Sequence, residues 1–208
     1  MMVDVSTIYL VDGATGSEVR AELRDSIEDA QLVDWQLKWR PAHDALIREL
    51  IQKGVSRQQW PQSSHWDWRR KAAQVQGLLA FRGFCVLADG ETQGMAQVEL
   101  TKSARAPVQA GKPIVYIEYL EAAPWNSPEL GRAPRYRGVG TALLSAAIAL
   151  SVEEGFKGRI GLHSLPQAED FYRRRGMVDL GPDPDPGHQH LRYFEMTAEQ
   201  ARAFLTEE

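Results

Sequence analysis

The sequence predicts an α/β fold, and three observations carry that expectation. Short runs rich in β-branched and aromatic residues alternate with longer runs that repeat apolar residues every three or four positions. Two of the strand-like runs flank Asp89-Gly90-Glu91-Thr92, which reads as a hairpin turn. A glycine-containing turn, Arg135-Tyr136-Arg137-Gly138-Val139-Gly140-Thr141, opens directly into an apolar helix.

Residues 3–11 alternate loosely, with Val5, Ile8, Tyr9 and Leu10, and read as a strand ending at Asp12-Gly13. Residues 17–32 are charged with an apolar residue every third or fourth position, which predicts a helix. The helical style continues over 33–54. Pro41 starts or breaks a helix there, Ala45, Leu46, Leu50 and Ile51 give the buried stripe, and Gly54 stops it. Residues 78–89 and 94–101 are the hairpin strands, and 106–113 is a loop. Residues 114–121 form a strand with Tyr116, Glu118 and Leu120 on one face and Ile117, Tyr119 and Glu121 on the other. A long connection over 122–134 carries three prolines, Trp125 and Arg132.

The helix after the glycine turn reaches about residue 154, ends at Gly155, and buries Leu143, Leu144, Ala147, Ile148 and Leu150. Residues 159–163 are a short strand. Ser164-Leu165-Pro166-Gln167 has the pattern of a capping box, and the helix it opens ends at Gly176. Strands at 177–180 and 191–196 enclose a stiff Asp-Pro loop, and Thr197 caps a closing helix.

The 208 residues suit one domain, here 1–208, enlarged by a helical region at about 14–76. Apolar residues at 43% can support a core. A net charge of −4 without a basic run argues against a nucleic-acid surface and favours a cationic or neutral substrate. Cys85 is the only cysteine, so neither a disulfide framework nor a cysteine metal site is expected. His188 and His190 stand on alternate positions, a metal pair or a solvated turn, with no third ligand apparent; no metal is expected. No apolar run approaches a membrane span and no signal peptide is visible, which makes a cytoplasmic location the default.

The glycine turn carries the chemistry. The first N–H groups of a helix lack partners and sit at the positive end of its dipole, so they attract phosphate. Gly138 and Gly140 let the backbone approach an anion, and Arg135 and Arg137 add matching charge. A dinucleotide fingerprint would need glycine where Leu143 stands, and a Walker loop would need Gly-Lys-Ser/Thr where the chain has Gly-Thr-Ala.

What remains, Arg-x-x-Gly-x-Gly between an apolar strand and a helix, resembles the pyrophosphate loop of the GCN5-related N-acetyltransferases (GNAT). A second segment, Ala168-x-x-Phe171-Tyr172-x-x-x-Gly176-Met177, is similar to another motif of that family, although Leu165 stands where the family often has Asn. The resemblance implies the GNAT acyl-CoA N-acyltransferase fold, a mixed central sheet flanked by helices, with acetyl-CoA as cosubstrate. It implies an enzyme, an acyltransferase that moves acetyl to an amine acceptor, small molecule or peptide, by direct attack. It implies cofactor contacts at Leu120, Glu121, Ala122, Arg135, Arg137, Gly138, Val139, Gly140, Thr141 and Tyr172.

Acetyl transfer needs a base for the amine, donors for the oxyanion and an acid for the thiolate. Tyr172 is the candidate acid, or a packed ring. Glu118 and Glu121 are the candidate bases, and His163 ends a strand where it is structural or acts through water. Trp66, Trp68 and Trp125, with His163, are candidate acceptor contacts. The tryptophans either pack helices on the sheet or form an aromatic wall for a cationic amine. The alternative to an enzyme is a non-catalytic acyl-CoA-binding module that uses the tryptophan-rich helices to hold a protein. Neither nucleic acid nor membrane is an expected partner; a homodimer is compatible with the sequence, which does not fix the oligomeric state.

Overall fold

A computed structural model describes residues 4–127 and 133–207. In chain order the elements are β1 (Val5–Asp12), β2 (Glu18–Arg24), α1 (Asp29–Asp34), a π turn (Trp35–Trp39), α2 (Arg40–Gln52) and α3 (Trp68–Val75). There follow β3 (Phe81–Ala88), β4 (Glu91–Glu99), β5 (Val115–Ala122), β6 (Tyr136–Arg137) and α4 (Val139–Glu153). The chain closes with β7 (Ile160–Ser164), α5 (Glu169–Arg174), β8 (Val178–Pro182), β9 (Arg192–Met196) and α6 (Ala198–Glu207). The described strands form one large, mostly antiparallel sheet in the order β6-β1-β2-β3-β4-β5-β7-β9-β8, flanked by helices.

The chain divides into two compact units, 1–96 with 120–143, and 97–119 with 144–208. In the first, β1 and β2 pair antiparallel from Val5↔Arg24 to Val11↔Glu18, and β6 pairs with the end of β1. Asp12 closes the β1–β2 turn by accepting from the backbone of Ala14 and Thr15 at 2.9 and 2.7 Å. β2 continues the antiparallel pattern onto β3, and β3 turns into β4 through Asp89 and Gly90, both at positive φ as a two-residue hairpin requires. A Cβ on Gly94 of β4 would run into Val139 Cγ1, so glycine lets the first turn of α4 lie directly on the strand.

One expectation fails here. Residues 18–24 are not the start of a helix but β2, so the 14–76 region is helical only from α1 onward. Glu18, Arg20, Glu22 and Arg24 alternate with Val19, Ala21 and Leu23. That period of two places Ala21 in the core, 2% exposed.

The helical stretch then runs through a π turn in which the Arg40 N–H donates to the Trp35 carbonyl, and Pro41 sits in the first turn of α2. Trp35, Trp39 and His43 are buried on this helix. Trp39 donates from Nε1 to the Thr92 carbonyl at 3.1 Å, and Asp34 accepts from the Thr92 N–H at 2.9 Å.

In the second unit β5 runs parallel to β7, β7 antiparallel to β9, and β9 antiparallel to β8. Glu195, fully buried, accepts from the Arg105 and Ala106 backbone and from Gln109, which anchors the 102–113 loop. The capping box expected at Ser164 is absent: Ser164 is the last residue of β7, its hydroxyl donates to the Leu165 carbonyl, and Leu165 precedes the next turn. Thr197 does cap α6, exchanging hydrogen bonds with Gln200. Cys85 is buried, and burial pushes its thiol up to about 12, which leaves it unreactive at neutral pH.

Candidate functional site

Two features of the backbone stand out. The first is the glycine turn. Gly138 takes φ +98°, a conformation that side chains other than glycine rarely adopt. Helix α4 begins at the next residue, and its first intrahelical bond runs from Ala142 N–H to the Gly138 carbonyl at 2.9 Å. The N–H groups of Val139, Gly140 and Thr141 therefore precede the regular ladder, at the positive end of the helix. Arg137 is exposed beside them. Arg135 is held instead by Glu91 at 2.8 Å and by Asp89 at 3.7 Å, and its guanidinium lies 5.1 Å from the Tyr136 ring. Its charge is already neutralised within the loop's own supports.

The second feature is the parallel pair. β5 and β7 register from Val115↔Ile160 to Ile117↔Leu162, and the pairing then stops although both strands run on, β5 to Ala122 and β7 to Ser164. Parallel strands that stop bonding while still extended leave backbone donors and acceptors available to a ligand.

No family model matches the sequence, and no curated protein matches it. Solved structures do. The chain aligns over 98% of its length with 94% of Mycobacterium smegmatis RimJ in complex with CoA-disulfide, at 16% identity and a TM-score of 0.52. It aligns over 86% of its length with 99% of a protein from Desulfovibrio desulfuricans assigned to the GNAT acetyltransferases, at 12% identity and a TM-score of 0.52. This chain has the GNAT fold. Identities this low speak to architecture alone, so site chemistry must come from the residues themselves.

On the GNAT fold's central strand β5, Leu120 and Ala122 are half-buried and Glu121 is buried, 5% exposed. Glu121 accepts from Trp68 Nε1 at 2.6 Å, and its other oxygen lies 3.4 Å from His43 Nε2, within ion-pair reach but not as a hydrogen bond. That oxygen and both His43 ring nitrogens make no hydrogen bond among the described residues. Glu118 keeps partial exposure and accepts from Gln97 Nε2 at 2.9 Å. Tyr172 on α5 is buried, with Phe171 at 5.1 Å and Phe194 at 5.8 Å between ring centroids; burial raises its pKa.

The three tryptophans do different work. Trp68 is fully buried against Glu121, and Trp66 is half-buried with the Lys71 ammonium 4.8 Å from its ring. Trp125 donates to Gln93 at 2.8 Å, and its carbonyl accepts from the Arg135 N–H at 2.9 Å. With Ala45, Leu46, Glu49 and Arg135 it lines a cavity of about 440 Å³ whose described walls include neither Trp66 nor Trp68. Arg132 lies outside the described residues.

His163 stands at the end of β7 in a network that the sequence did not announce. Its Nδ1 is 2.7 Å from the Tyr116 hydroxyl and its Nε2 is 2.6 Å from Asp183. Arg105 also binds Asp183, and its guanidinium lies 4.4 Å from the Tyr193 ring. His188 stacks on His163 with centroids 3.9 Å apart and planes 7° apart. His163, Asp183 and His188 bring their polar atoms within 4.8 Å of one another. Imidazole lone pairs lie in the ring plane, so two parallel stacked rings do not converge on one ion. The arrangement fits a stacked pair with a carboxylate rather than a metal centre. No helix among the described residues is long and apolar enough to cross a membrane.

Proposed function

We propose that the chain is an N-acetyltransferase that moves the acetyl group of acetyl-CoA to an amine by direct attack. The observation that carries this reading is the parallel pair that stops bonding after Ile117↔Leu162 while both strands extend. An extended pantetheine arm is a chain of amides, and amides fit such an opening. The glycine turn supplies the second requirement, backbone donors at a helix start for a pyrophosphate. A complex of RimJ with CoA-disulfide, on the same fold, supports the choice of ligand.

In this reading Val139, Gly140 and Thr141 hold phosphate oxygens through their N–H groups, and Arg137 adds charge. The backbone at Leu120–Ala122 receives the thioester carbonyl. Tyr172 gives its proton to the departing thiolate; its raised pKa keeps the phenol protonated at neutral pH, as an acid must be. Glu118, the carboxylate with partial exposure, attracts the acceptor ammonium, whereas Glu121 is committed to Trp68. Trp125 and Glu49 mark the cavity suited to an amine with apolar substituents, small molecule or peptide.

Melting of the full chain with CoA and acetyl-CoA tests the reading. Both ligands raise the melting temperature by mass action, and Gly138→Val abolishes the rise because valine does not adopt φ +98°. An unchanged melting temperature at millimolar CoA overturns it.

A further inference from the structure

An attacking amine must shed a proton, and the second unit holds a chain of groups built to take one. Asp183 lies against Arg105, whose guanidinium holds its carboxyl well below the usual carboxylate range. An ionised Asp183 requires a donor at 2.6 Å, so His163 carries its proton on Nε2. Burial lowers the His163 pKa, which keeps the ring neutral and leaves Nδ1 as a bare acceptor. The Tyr116 hydroxyl at 2.7 Å must then be the donor to Nδ1. Burial, with Glu118 nearby, raises the Tyr116 pKa and keeps that proton in place. Hydroxyl, imidazole and carboxylate thus stand in the order of a catalytic triad.

The position adds a second observation. Tyr116 lies within the last registered stretch of β5 and His163 follows the last registered residue of β7, so the network sits where the parallel pairing stops. The side chains of His163 and Asp183 are 4% and 3% exposed, whereas Tyr116 retains partial exposure. The buried members are closed off by His188 stacked on one face of His163 and Tyr193 tilted at 4.8 Å. Tyr116 is the member of the three with the most exposed side chain, and its hydroxyl is the end of the chain of hydrogen bonds farthest from Asp183.

We propose that Tyr116, His163 and Asp183 form a proton relay, with the Tyr116 hydroxyl as the catalytic group that accepts the proton of the attacking amine. The relay rests on the acetyl-transfer reading. As the amine nitrogen bonds to the thioester carbon, its proton passes to the Tyr116 oxygen and the Tyr116 proton passes to His163 Nδ1. Asp183 stabilises the imidazolium that forms. The C–S bond then breaks, and the sulfur takes the proton of Tyr172 and leaves as the CoA thiol. The proton gained by His163 and the one lost by Tyr172 balance through solvent. His163 and Asp183 act through Tyr116 and are positioning residues.

Nitrogen NMR of histidine in the full chain reads the relay without an acceptor. The other charged and titratable groups facing it are Arg105 from the 102–113 loop, Glu118 on β5, Glu99 on β4, His188 and Tyr193. The expected state is Nε2–H with a pKa below 6.5, the ordinary value. Asp183 favours the imidazolium, so Asp183→Asn moves the His163 titration to lower pH, and Tyr116→Phe shifts the Nδ1 resonance while leaving Nε2–H intact. Thiol release from acetyl-CoA with a mixture of aliphatic amines, aromatic amines and amino acids gives the kinetic arm. Tyr116→Phe lowers kcat by about 10²-fold with CoA affinity unchanged, and Asp183→Asn moves the acid limb of the pH–rate profile downward. A His163 protonated on Nδ1, or Tyr116→Phe with wild-type kcat, overturns the relay alone. Absence of both CoA binding and thiol release in the wild type overturns the acetyl-transfer reading beneath it.

Discussion

The molecule buries two histidines beside carboxylates, and the two sites are built on opposite principles. In the second unit both ring nitrogens of His163 are engaged, one by Tyr116 and one by Asp183, and Asp183 is bound in turn by Arg105. In the first unit, among the described residues, His43 makes no hydrogen bond from either nitrogen, and Glu121 beside it is satisfied on one oxygen only, by Trp68. A fully bonded network fixes tautomer and charge, which a proton relay needs. A half-bonded pair fixes neither and leaves polar atoms in a low dielectric, where they cost stability. Burial alone therefore does not mark a working ionisable group. The completeness of its partners does.

Three substitutions sharpen that contrast, in falling order of effect. Asp183→Asn removes charge-assisted bonds to Arg105 and His163 and lowers unfolding free energy by about 1.5–3 kcal/mol at pH 7, read by denaturant titration. Its pH dependence follows from sign. The depressed Asp183 pKa contributes stability that is present above 3.8, the unfolded value, and lost as pH falls further, so the Asn variant shows a shallower acid limb. His163, with its pKa lowered by burial, adds stability that is present above 6.5 and lost as pH falls below it.

Trp68→Phe keeps most of the packing but strips Glu121 of its donor, at a cost of about 1–3 kcal/mol in the same titration. Glu121→Gln has the smallest effect. The amide still accepts from Trp68 and offers a donor toward His43, so stability changes by less than about 1 kcal/mol in either direction. A loss above about 2 kcal/mol for this variant means that the carboxylate, and not merely an acceptor for Trp68, is what the site holds, and the contrast between the two sites dissolves. A large loss of turnover without loss of stability restores Glu121 as a base.

The fold was legible where local signals were strong. The Asp89-Gly90 turn, the strand at 114–121 and the helix after Gly138 carry their own periodicity and punctuation, and each lies where the pattern put it. β2 was misread because its charges mimic an amphipathic helix over seven residues, too short a window for a period of two to declare itself against one of 3.6. Of the candidate site, the glycine turn and the strand that leads toward it were legible as elements, whereas the side-chain contacts were not. Tyr116 and His163 are 47 residues apart, and His163 and Asp183 are 20 apart, on elements whose registers no local pattern encodes. Asp183 read as one more turn residue in an Asp-Pro loop. The tryptophans were grouped by composition, yet Trp68 and Trp125 serve separate partners.

The π turn at Trp35–Trp39 amounts to one residue too many for an α-helical ladder, and it is a phase shifter. Everything after Arg40 is turned by about 100° relative to an uninterrupted helix. His43 meets Glu121 because of that offset. Removal of Leu37, 67% exposed, would make the bond from Arg40 N–H to the Trp35 carbonyl an ordinary α-helical one and keep His43 on its present bearing, whereas straightening the ladder with Leu37 in place would rotate His43 away. The pairing that looks like chemistry between two side chains is thus written in the length of the chain.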